Sequence, residues 1–163
     1  MERNMSMAKR ISRPHMPGYG IKPENEGAGL LPYAWVEERM AAARNYWVCT
    51  VTPEGKPHAA PVWGLWHAGA FYFGTGDTSR KGRNLAASPA IKVHLESGDE
   101  AVMIEGEVQN VTDATLLKTL DKAYKAKYQV PFHSALCVRP KVAFAWREAD
   151  FPGSATRFVL EGD

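Results

Sequence analysis

Residues 71–85 read FYFGTGDTSRKGRNL, an aromatic strand that runs into a hydroxyl-rich turn and then into a basic helix start. Thr78 and Ser79 offer two hydroxyl groups, and the free backbone N–H groups of a first helical turn lie beside them. Arg80 and Lys81 add two cations, which oppose the helix dipole unless an anion is bound there. All of these groups can donate to phosphate oxygens. The stretch therefore predicts a phosphate site, with a capped helix start and solvated cations as the alternative.

The composition is that of one globular domain. The chain has 163 residues, of which 45% are hydrophobic, so it can bury a substantial core. Its formal net charge of +2 is too small for a typical nucleic-acid-binding protein, which carries a strong basic excess. We therefore expect no nucleic-acid partner.

The cysteines and the N-terminal composition predict a cytoplasmic protein. Cys49 and Cys137 lie far apart, with no neighbour at zinc or dithiol spacing, and are expected to be reduced thiols. Residues 1–22 are polar, basic and interrupted by prolines, unlike a signal peptide. Residues 57–76 carry no charged side chain, but their prolines and glycines favour two buried strands over a membrane helix.

Hydrophobic periodicity predicts a flexible N-terminal arm at residues 1–30 and a single domain at residues 31–163. The predicted helices cover residues 31–45, 78–87 and 112–127, the last with a solvated face of Lys118, Lys122, Lys125 and Lys127. The predicted strands cover residues 46–52, 57–66, 70–75, 90–96, 100–111 with a bend at Gly106, 138–146 and 156–160. About seven strands joined mostly by short turns favour a small antiparallel β-barrel with about three packed helices, a mainly β fold.

The strand at residues 57–66 has an irregular pattern. Pro61 cannot donate to a sheet ladder, so it marks a sheet edge or a bulge, where backbone groups are free for a ligand. Trp63 and Trp66 can pack against a flat ring there, although both can be core residues, which is the favoured interpretation for Trp66.

Four segments together resemble the pyridoxamine 5'-phosphate oxidase-like family of FMN-binding split barrels. They are Lys56–Trp63, Ser79–Leu85, Ser88–Val93 and the ending Val138–Trp146, which is similar to the flavin- and deazaflavin-dependent branch. The resemblance covers roughly residues 36–160 and implies a split β-barrel. It also implies a homodimer with a groove between the subunits that holds FMN or its deazaflavin analogue, coenzyme F-420.

The resemblance also assigns residues. Ser79, Arg80 and Lys81 correspond to the phosphate-binding segment, in which Thr78 and Asn84 are further candidates for cofactor contact. Ala60, Pro61, Val62 and Trp63 would border the isoalloxazine-type ring. Members that oxidise pyridoxamine phosphate have an arginine near the position of Ala60, so vitamin B6 oxidation is not expected, and deazaflavin is favoured over FMN.

The expected chemistry is hydride transfer between the bound cofactor and a small organic substrate, with no catalytic acid or base assigned. The histidines lack zinc-ligand spacing, so no metal site is predicted; they are His15, His58, His67, His94 and His133. Two alternatives stay open. One is a non-catalytic flavin- or haem-binding barrel, and the other is a stress-related barrel dimer without a cofactor.

Overall fold

A computed structural model describes residues 8–23 and 28–160 of the chain. Three α-helices lie at Tyr33–Ala42 (α1), Arg80–Ala87 (α2) and Ala114–Tyr128 (α3). Nine β-strands lie at Arg10–Ser12 (β1), Asn45–Val51 (β2), Pro57–Trp63 (β3), Leu65–His67 (β4), Ala70–Phe73 (β5), Ala90–His94 (β6), Glu100–Asn110 (β7), Leu136–Arg147 (β8) and Thr156–Val159 (β9). The mainly β fold with three helices is confirmed.

The strands form one antiparallel sheet with the order β1-β9-β8-β7-β6-β2-β3, and β5 joins β4 to the first part of β8. The sheet does not close, and β3 is an edge strand of the main path, as Pro61 predicts. The register between β7 and β8 shifts at Glu105/Gly106, which confirms the predicted bend. The architecture is therefore that of a split barrel.

Strands β2 and β6 share only a short stretch of the sheet. Their pairing runs only from Trp47↔His94 to Cys49↔Lys92. The next residue of β2, Thr50, instead receives a hydrogen bond from Asn84 of α2. The helix that carries the predicted phosphate site is thus fixed against β2, just beyond the end of this pairing.

The core lies inside the curved sheet and beneath α1. Its largest fully buried side chains include Tyr46, Phe71, Phe73 and Phe158. The Tyr46 hydroxyl donates to the Met40 carbonyl at 2.6 Å, which ties β2 to the end of α1. A second cluster, around Leu120 and Phe132, lies between α3 and the outer strands.

Three sequence predictions need correction. The predicted strand at residues 57–66 is interrupted at Gly64, where a Cβ atom would lie 2.4 Å from the Phe71 ring. The predicted arm contains a strand at Arg10–Ser12 that pairs with β9, so regular structure is present there. Arg13 follows that strand, is buried, and donates to the carbonyls of Gly153 and Ala155. Residues 1–7 and 24–27 of the arm lie outside the described residues, and the division at residue 30 stays a prediction.

Lys127 is the third correction. It does not belong to a solvated face, because its Nζ donates to the Tyr46 hydroxyl and to the Gly64 carbonyl, each at 3.0 Å. Burial lowers the pKa of the Lys127 amine to about 8, and the nearby Arg44 charge contributes in the same direction.

Within the described residues, both cysteines are free, and no cluster of side chains able to hold a metal ion is present. None of the helices in the same part of the chain is both long and apolar enough to cross a membrane.

Candidate cofactor site

The site is built around the start of α2. Ser79 caps the helix, because its hydroxyl oxygen accepts from the Gly82 N–H at 3.0 Å. The same hydroxyl donates to the Gly76 carbonyl at 2.7 Å and lies 2.9 Å from the Thr75 hydroxyl. In this structure the Ser79 hydroxyl is therefore used by the cap, and its contact with a phosphate stays a prediction.

The cations of α2 give this end of the helix its charge. Arg80 and Arg83 are exposed, Lys81 is half-buried, and none of them pairs with a carboxylate in the described part of the chain. The first turn contains no acidic residue. Since a helix N-terminus already carries a partial positive charge, the start of α2 favours an anionic ligand. Thr78 is exposed beside it, and Asp77 in the preceding loop is the nearest acidic residue in sequence.

Gly82 allows the loop before α2 to pack closely against the first turn of the helix. A Cβ atom at this position would lie 2.3 Å from the Gly76 carbonyl oxygen and 3.0 Å from the Asp77 carbonyl oxygen. Glycine therefore allows the loop to fold back closely on the first turn of α2.

A buried polar cluster lies behind this helix start. Asn84 is 1% exposed, and its Nδ2 donates to the Thr50 hydroxyl at 3.0 Å. Its Oδ1 is buried and has no hydrogen-bond partner among the described residues, and the same holds for Nδ1 of His58, which pairs with Thr50 across β2 and β3. An unsatisfied buried polar atom costs about 1–3 kcal/mol. Two such atoms on either side of Thr50 indicate a place where an ordered water or a ligand hydroxyl completes the hydrogen bonding.

The strand register divides the predicted ring residues between two faces. Ala60 pairs with Val48 and Val62 pairs with Tyr46, so both lie on the inner face, which they share with His58 and Thr50. Pro61 and Trp63 alternate to the outer, exposed face. The sheet thus brings Ala60 and Val62 to the side on which Asn84 packs.

Trp63 lies on the outer face among aromatic and cationic side chains, and its contact with the cofactor ring stays a prediction. Its ring stacks on Tyr128 at 4.7 Å between centroids, and the Arg44 guanidinium lies 5.3 Å from the Trp63 ring. The Tyr128 hydroxyl donates to the Gly64 carbonyl at 2.9 Å, which fixes the end of α3 beside β3. Trp63 therefore belongs to an aromatic and cationic cluster on the opposite side of the sheet from α2.

Sequence reasoning missed Thr50 and underestimated His58. A signal for Thr50 was present, because it continues the inward-facing series Tyr46 and Val48, so a hydroxyl is placed at a buried position. His58 follows the same alternation on β3. The pairing of the two strands shows that both side chains lie beside Asn84, which lies more than twenty residues further along the chain.

Comparison with known proteins gives a family. The family model described as pyridoxamine 5'-phosphate oxidase matches residues 35–148. No curated protein matches the chain in sequence.

Solved structures share the fold at low identity. A conserved hypothetical protein from Mycobacterium tuberculosis is 19% identical, with a TM-score of 0.65 over 75% of this chain and 88% of that chain. An F-420 reductase is 19% identical, with a TM-score of 0.54 over 66% of this chain and 94% of that chain. The haem storage protein from Vibrio cholerae is 13% identical, with a TM-score of 0.52 over 66% of this chain and 86% of that chain. At these identities the likeness concerns the fold alone.

Proposed function

The chain belongs to the pyridoxamine 5'-phosphate oxidase family, and from that premise we propose that it is an oxidoreductase that uses FMN or the deazaflavin F-420. The cofactor supplies the hydride chemistry when it is bound. The substrate class is a small organic molecule, and the two free cysteines agree with a cytoplasmic location, where thiols stay reduced.

The charge at the start of α2 is the observation that carries this proposal. Arg80, Lys81 and Arg83 lie within one turn, without carboxylate partners among the described residues and without an acidic residue in that turn. A phosphate ester satisfies both these cations and the free N–H groups of the helix. A surface helix with no ligand would gain more from an acidic first turn.

The residues behind α2 fit the rest of a phosphate-bearing, hydroxyl-rich cofactor. Asn84 Oδ1 is a buried acceptor to which no described residue donates, and His58 Nδ1 is a second buried atom without a partner in that part of the chain. Ala60 and Val62 offer a small apolar surface next to them on the inner face of β3. In the bound state we assign Arg80 and Lys81 to charge neutralisation, Asn84 to hydroxyl binding, and Ala60 and Val62 to ring packing.

The side chain at residue 60 bears on the choice of cofactor and substrate. Ala60 lies on the inner face of an edge strand and adds no charge there, whereas pyridoxamine phosphate oxidation is associated with an arginine near this position. We therefore favour F-420 over FMN and do not propose oxidation of vitamin B6.

We further propose that the protein is a homodimer that pairs through the outer face of β2 and β3. This face carries no charged side chain; it consists of Asn45, Trp47, Cys49, Val51, Pro57, Ala59, Pro61 and Trp63. Val51 and Trp63 are 36% and 38% exposed, which is high for large apolar side chains. A contiguous apolar surface of this kind is typical of a subunit interface, and a second copy buries the same surface on both sides.

Titration of the purified protein with FMN, F-420 and haemin, followed by absorbance, tests the cofactor assignment. We expect binding of F-420 or FMN, distinguished by the blue-shifted band of the deazaflavin. Lys81→Ala should weaken binding by about tenfold, since a charge-assisted contact is worth roughly 1.5–3 kcal/mol. Lys118→Ala, at an exposed position of α3, is the matched control and should leave the affinity unchanged.

Oxidoreductase activity is then followed as the oxidation of the reduced, protein-bound cofactor by small conjugated carbonyl compounds. A Soret band with haemin and no affinity for either flavin would favour the second candidate, a haem-binding barrel, for which the shared fold of the haem storage protein is the supporting observation. Absence of all three complexes would exclude both functions.

A further inference from the structure

The His58 imidazole is the accessible polar group on the inner face of β2 and β3. On that face Tyr46 and Thr50 are buried, and Ala60 and Val62 are apolar. His58 itself is half-buried, and neither of its ring nitrogens has a hydrogen bond in the described part of the chain. Its Nδ1 is enclosed, whereas Nε2 is not among the enclosed atoms without a partner. Nε2 is therefore the nitrogen that a ligand can reach.

His58 lies next to the residues assigned to ring packing. It precedes Ala60 by two residues on the same face of β3, which places the two positions about 7 Å apart along the strand. A molecule that receives a hydride must lie against the cofactor ring, so it shares this surface with His58. One donor on an otherwise apolar surface suits the oxygen of a neutral carbonyl compound.

Thr50 can determine which nitrogen of His58 carries the proton. It lies directly opposite His58 across β2 and β3, where the Cβ atoms of facing residues are about 4.5–5.5 Å apart. Its hydroxyl oxygen accepts from Asn84 Nδ2 at 3.0 Å, and its own proton is donated to none of the described residues. His58 Nδ1 can accept that proton, directly or through one ordered water. An Nδ1 that accepts a hydrogen bond leaves the imidazole proton on Nε2.

We propose that His58 is a catalytic residue whose Nε2–H donates a hydrogen bond to the carbonyl oxygen of an α,β-unsaturated carbonyl substrate. The inference rests on the proposed oxidoreductase function. Thr50 and Asn84 act through His58 as positioning residues, because they hold the imidazole in the tautomer that donates.

The step places negative charge on the oxygen beside His58. A hydride from the reduced cofactor brings two electrons to the β-carbon of the substrate. The carbon–carbon double bond then shifts to join the α-carbon to the carbonyl carbon, and the displaced electron pair collects on the carbonyl oxygen. A solvent proton finally adds at the α-carbon, which completes a two-electron reduction. A donor aimed at such a developing charge typically raises kcat by about 100- to 1000-fold.

Kinetics of the cofactor-loaded protein with cyclohexenone test the catalytic role. His58→Leu should lower kcat by about 100-fold and leave the KM for cyclohexenone and the cofactor affinity within about threefold of the wild type, because the lost contact strengthens in the transition state. His58→Gln keeps an N–H donor and should recover part of the lost kcat. The matched control, His133→Leu, changes an exposed histidine after α3 and should keep the wild-type kcat.

NMR of isotope-labelled imidazole rings at alkaline pH tests the tautomer without a cofactor. In the wild type, His58 should carry its proton on Nε2. Thr50→Val removes the hydroxyl and should shift His58 toward a mixture of both tautomers, whereas Thr50→Ser keeps the hydroxyl and should preserve the wild-type state. A proton on Nδ1 in the wild type, or no change in Thr50→Val, would overturn the role of Thr50.

The outcomes separate this inference from the proposed function. A protein that binds neither FMN nor F-420 contradicts the proposed function and the catalytic role with it, and the NMR result then decides the pairing of His58 with Thr50 by itself. A protein that binds the reduced cofactor but does not reduce cyclohexenone, or a His58→Leu variant with the wild-type kcat, overturns the catalytic assignment of His58 alone.

Discussion

At the scale of single residues, the Lys127 amine donates to two groups, the Tyr46 hydroxyl and the Gly64 carbonyl, and both also take part in other hydrogen bonds. The Tyr46 hydroxyl donates to the Met40 carbonyl, and the Gly64 carbonyl shares the single Tyr128 hydroxyl proton with the Arg44 carbonyl. Loss of the Lys127 amine therefore leaves each of these groups with another hydrogen-bonding group in reach. Burial removes water from the charged Lys127 amine and so disfavours its protonated form, which is the main cause of its lowered pKa.

This desolvation predicts a pH dependence of stability. The folded-state pKa of Lys127 is about 8, below the unfolded value of 10.5, so between these pH values the unfolded chain binds more protons at this group. The Lys127 contribution to the free energy of unfolding should therefore rise as pH increases through that window. Urea denaturation at pH 7 to pH 10 should show the wild type gaining stability relative to Lys127→Met.

The exposed Lys122 of the same helix provides the control. Lys122→Met should follow the wild type at every pH. If Lys127→Met also kept a constant offset from the wild type across the window, the amine would not be desolvated as described.

Asn84 and Thr50 give a second prediction at this scale. Replacing both by apolar residues of similar shape, in Thr50→Val/Asn84→Leu, removes their hydrogen bond together with the unpartnered Oδ1. Since such paired replacement is nearly neutral or stabilising, we expect a free energy of unfolding within about 1 kcal/mol of the wild type or above it. Cofactor affinity should fall by about tenfold, because the double variant loses the proposed hydrogen bond between the Asn84 amide and the cofactor. A neutral hydrogen bond of this kind contributes about 1 kcal/mol or more.

Chemical denaturation and cofactor titration measure the two quantities separately. A loss of more than about 2 kcal/mol in stability would mean that the polar pair supports the fold, as a broken buried network does. Undiminished affinity would remove Asn84 from the cofactor site.

Part of the candidate site can be predicted from the sequence alone. The Ser79 cap and the cations of α2 are local features, so the pattern of residues 78–84 predicts them. The environments of Lys127 and Trp63 depend on where the end of α3 meets Gly64 and Tyr46, and that long-range contact has no local signal. Helical periodicity places Lys127 on a polar face, and tertiary packing overrides it.

At the scale of elements, α2 is a short helix that depends on close backbone packing at its start. Gly82 lies where a Cβ atom would meet two carbonyl oxygens of the preceding loop. Alanine is favoured over glycine in an isolated helix by about 1 kcal/mol, but here the steric contact opposes that preference.

We therefore predict that Gly82→Ala lowers the free energy of unfolding by about 1–3 kcal/mol, the range for overpacking, and weakens cofactor binding by displacing the loop. Thermal or urea denaturation and cofactor titration measure these effects. Gly98→Ala is the control, since a Cβ atom there meets no atom within 4 Å, and it should change neither quantity. If Gly82→Ala raised the free energy of unfolding, the preceding loop would be able to move away from the added methyl group without destabilising the fold.

The elements themselves are largely predictable from sequence. Apolar alternation and the Ser88-Pro89 stop define α2 and β6, and the predicted ends agree with the observed ones within a few residues. The break at Gly64 and the strand at Arg10–Ser12 are not predictable in this way. The first depends on the Phe71 ring, and the second on pairing with β9 at the far end of the chain.

At the scale of the whole molecule, the proposed dimer makes a direct prediction. Val51→Lys places a charge within the apolar outer face of β2 and β3, where burial without a partner is costly. We expect sedimentation velocity to report a monomer for this variant and a dimer for the wild type. Cofactor affinity should fall with the dimer, because the groove between the subunits is expected to form part of the cofactor site.

Val130→Lys is the matched control, because Val130 is 38% exposed and lies after α3, outside that face. This variant should remain a dimer. A wild-type monomer that binds cofactor tightly would contradict the shared groove.

The order of the sheet also has a consequence for synthesis on the ribosome. Within the described residues, β8 pairs with β5, β7 and β9, and β1 pairs with β9 alone. Among the described strands, β1 therefore has no partner until β9 has been made, and β5, which pairs with β4 first, gains its second neighbour only with β8. During synthesis, α1 and the β2–β3 hairpin can form early, because their residues are close in sequence. The strand pairs that involve β8 and β9 can form only after these C-terminal strands have left the ribosome.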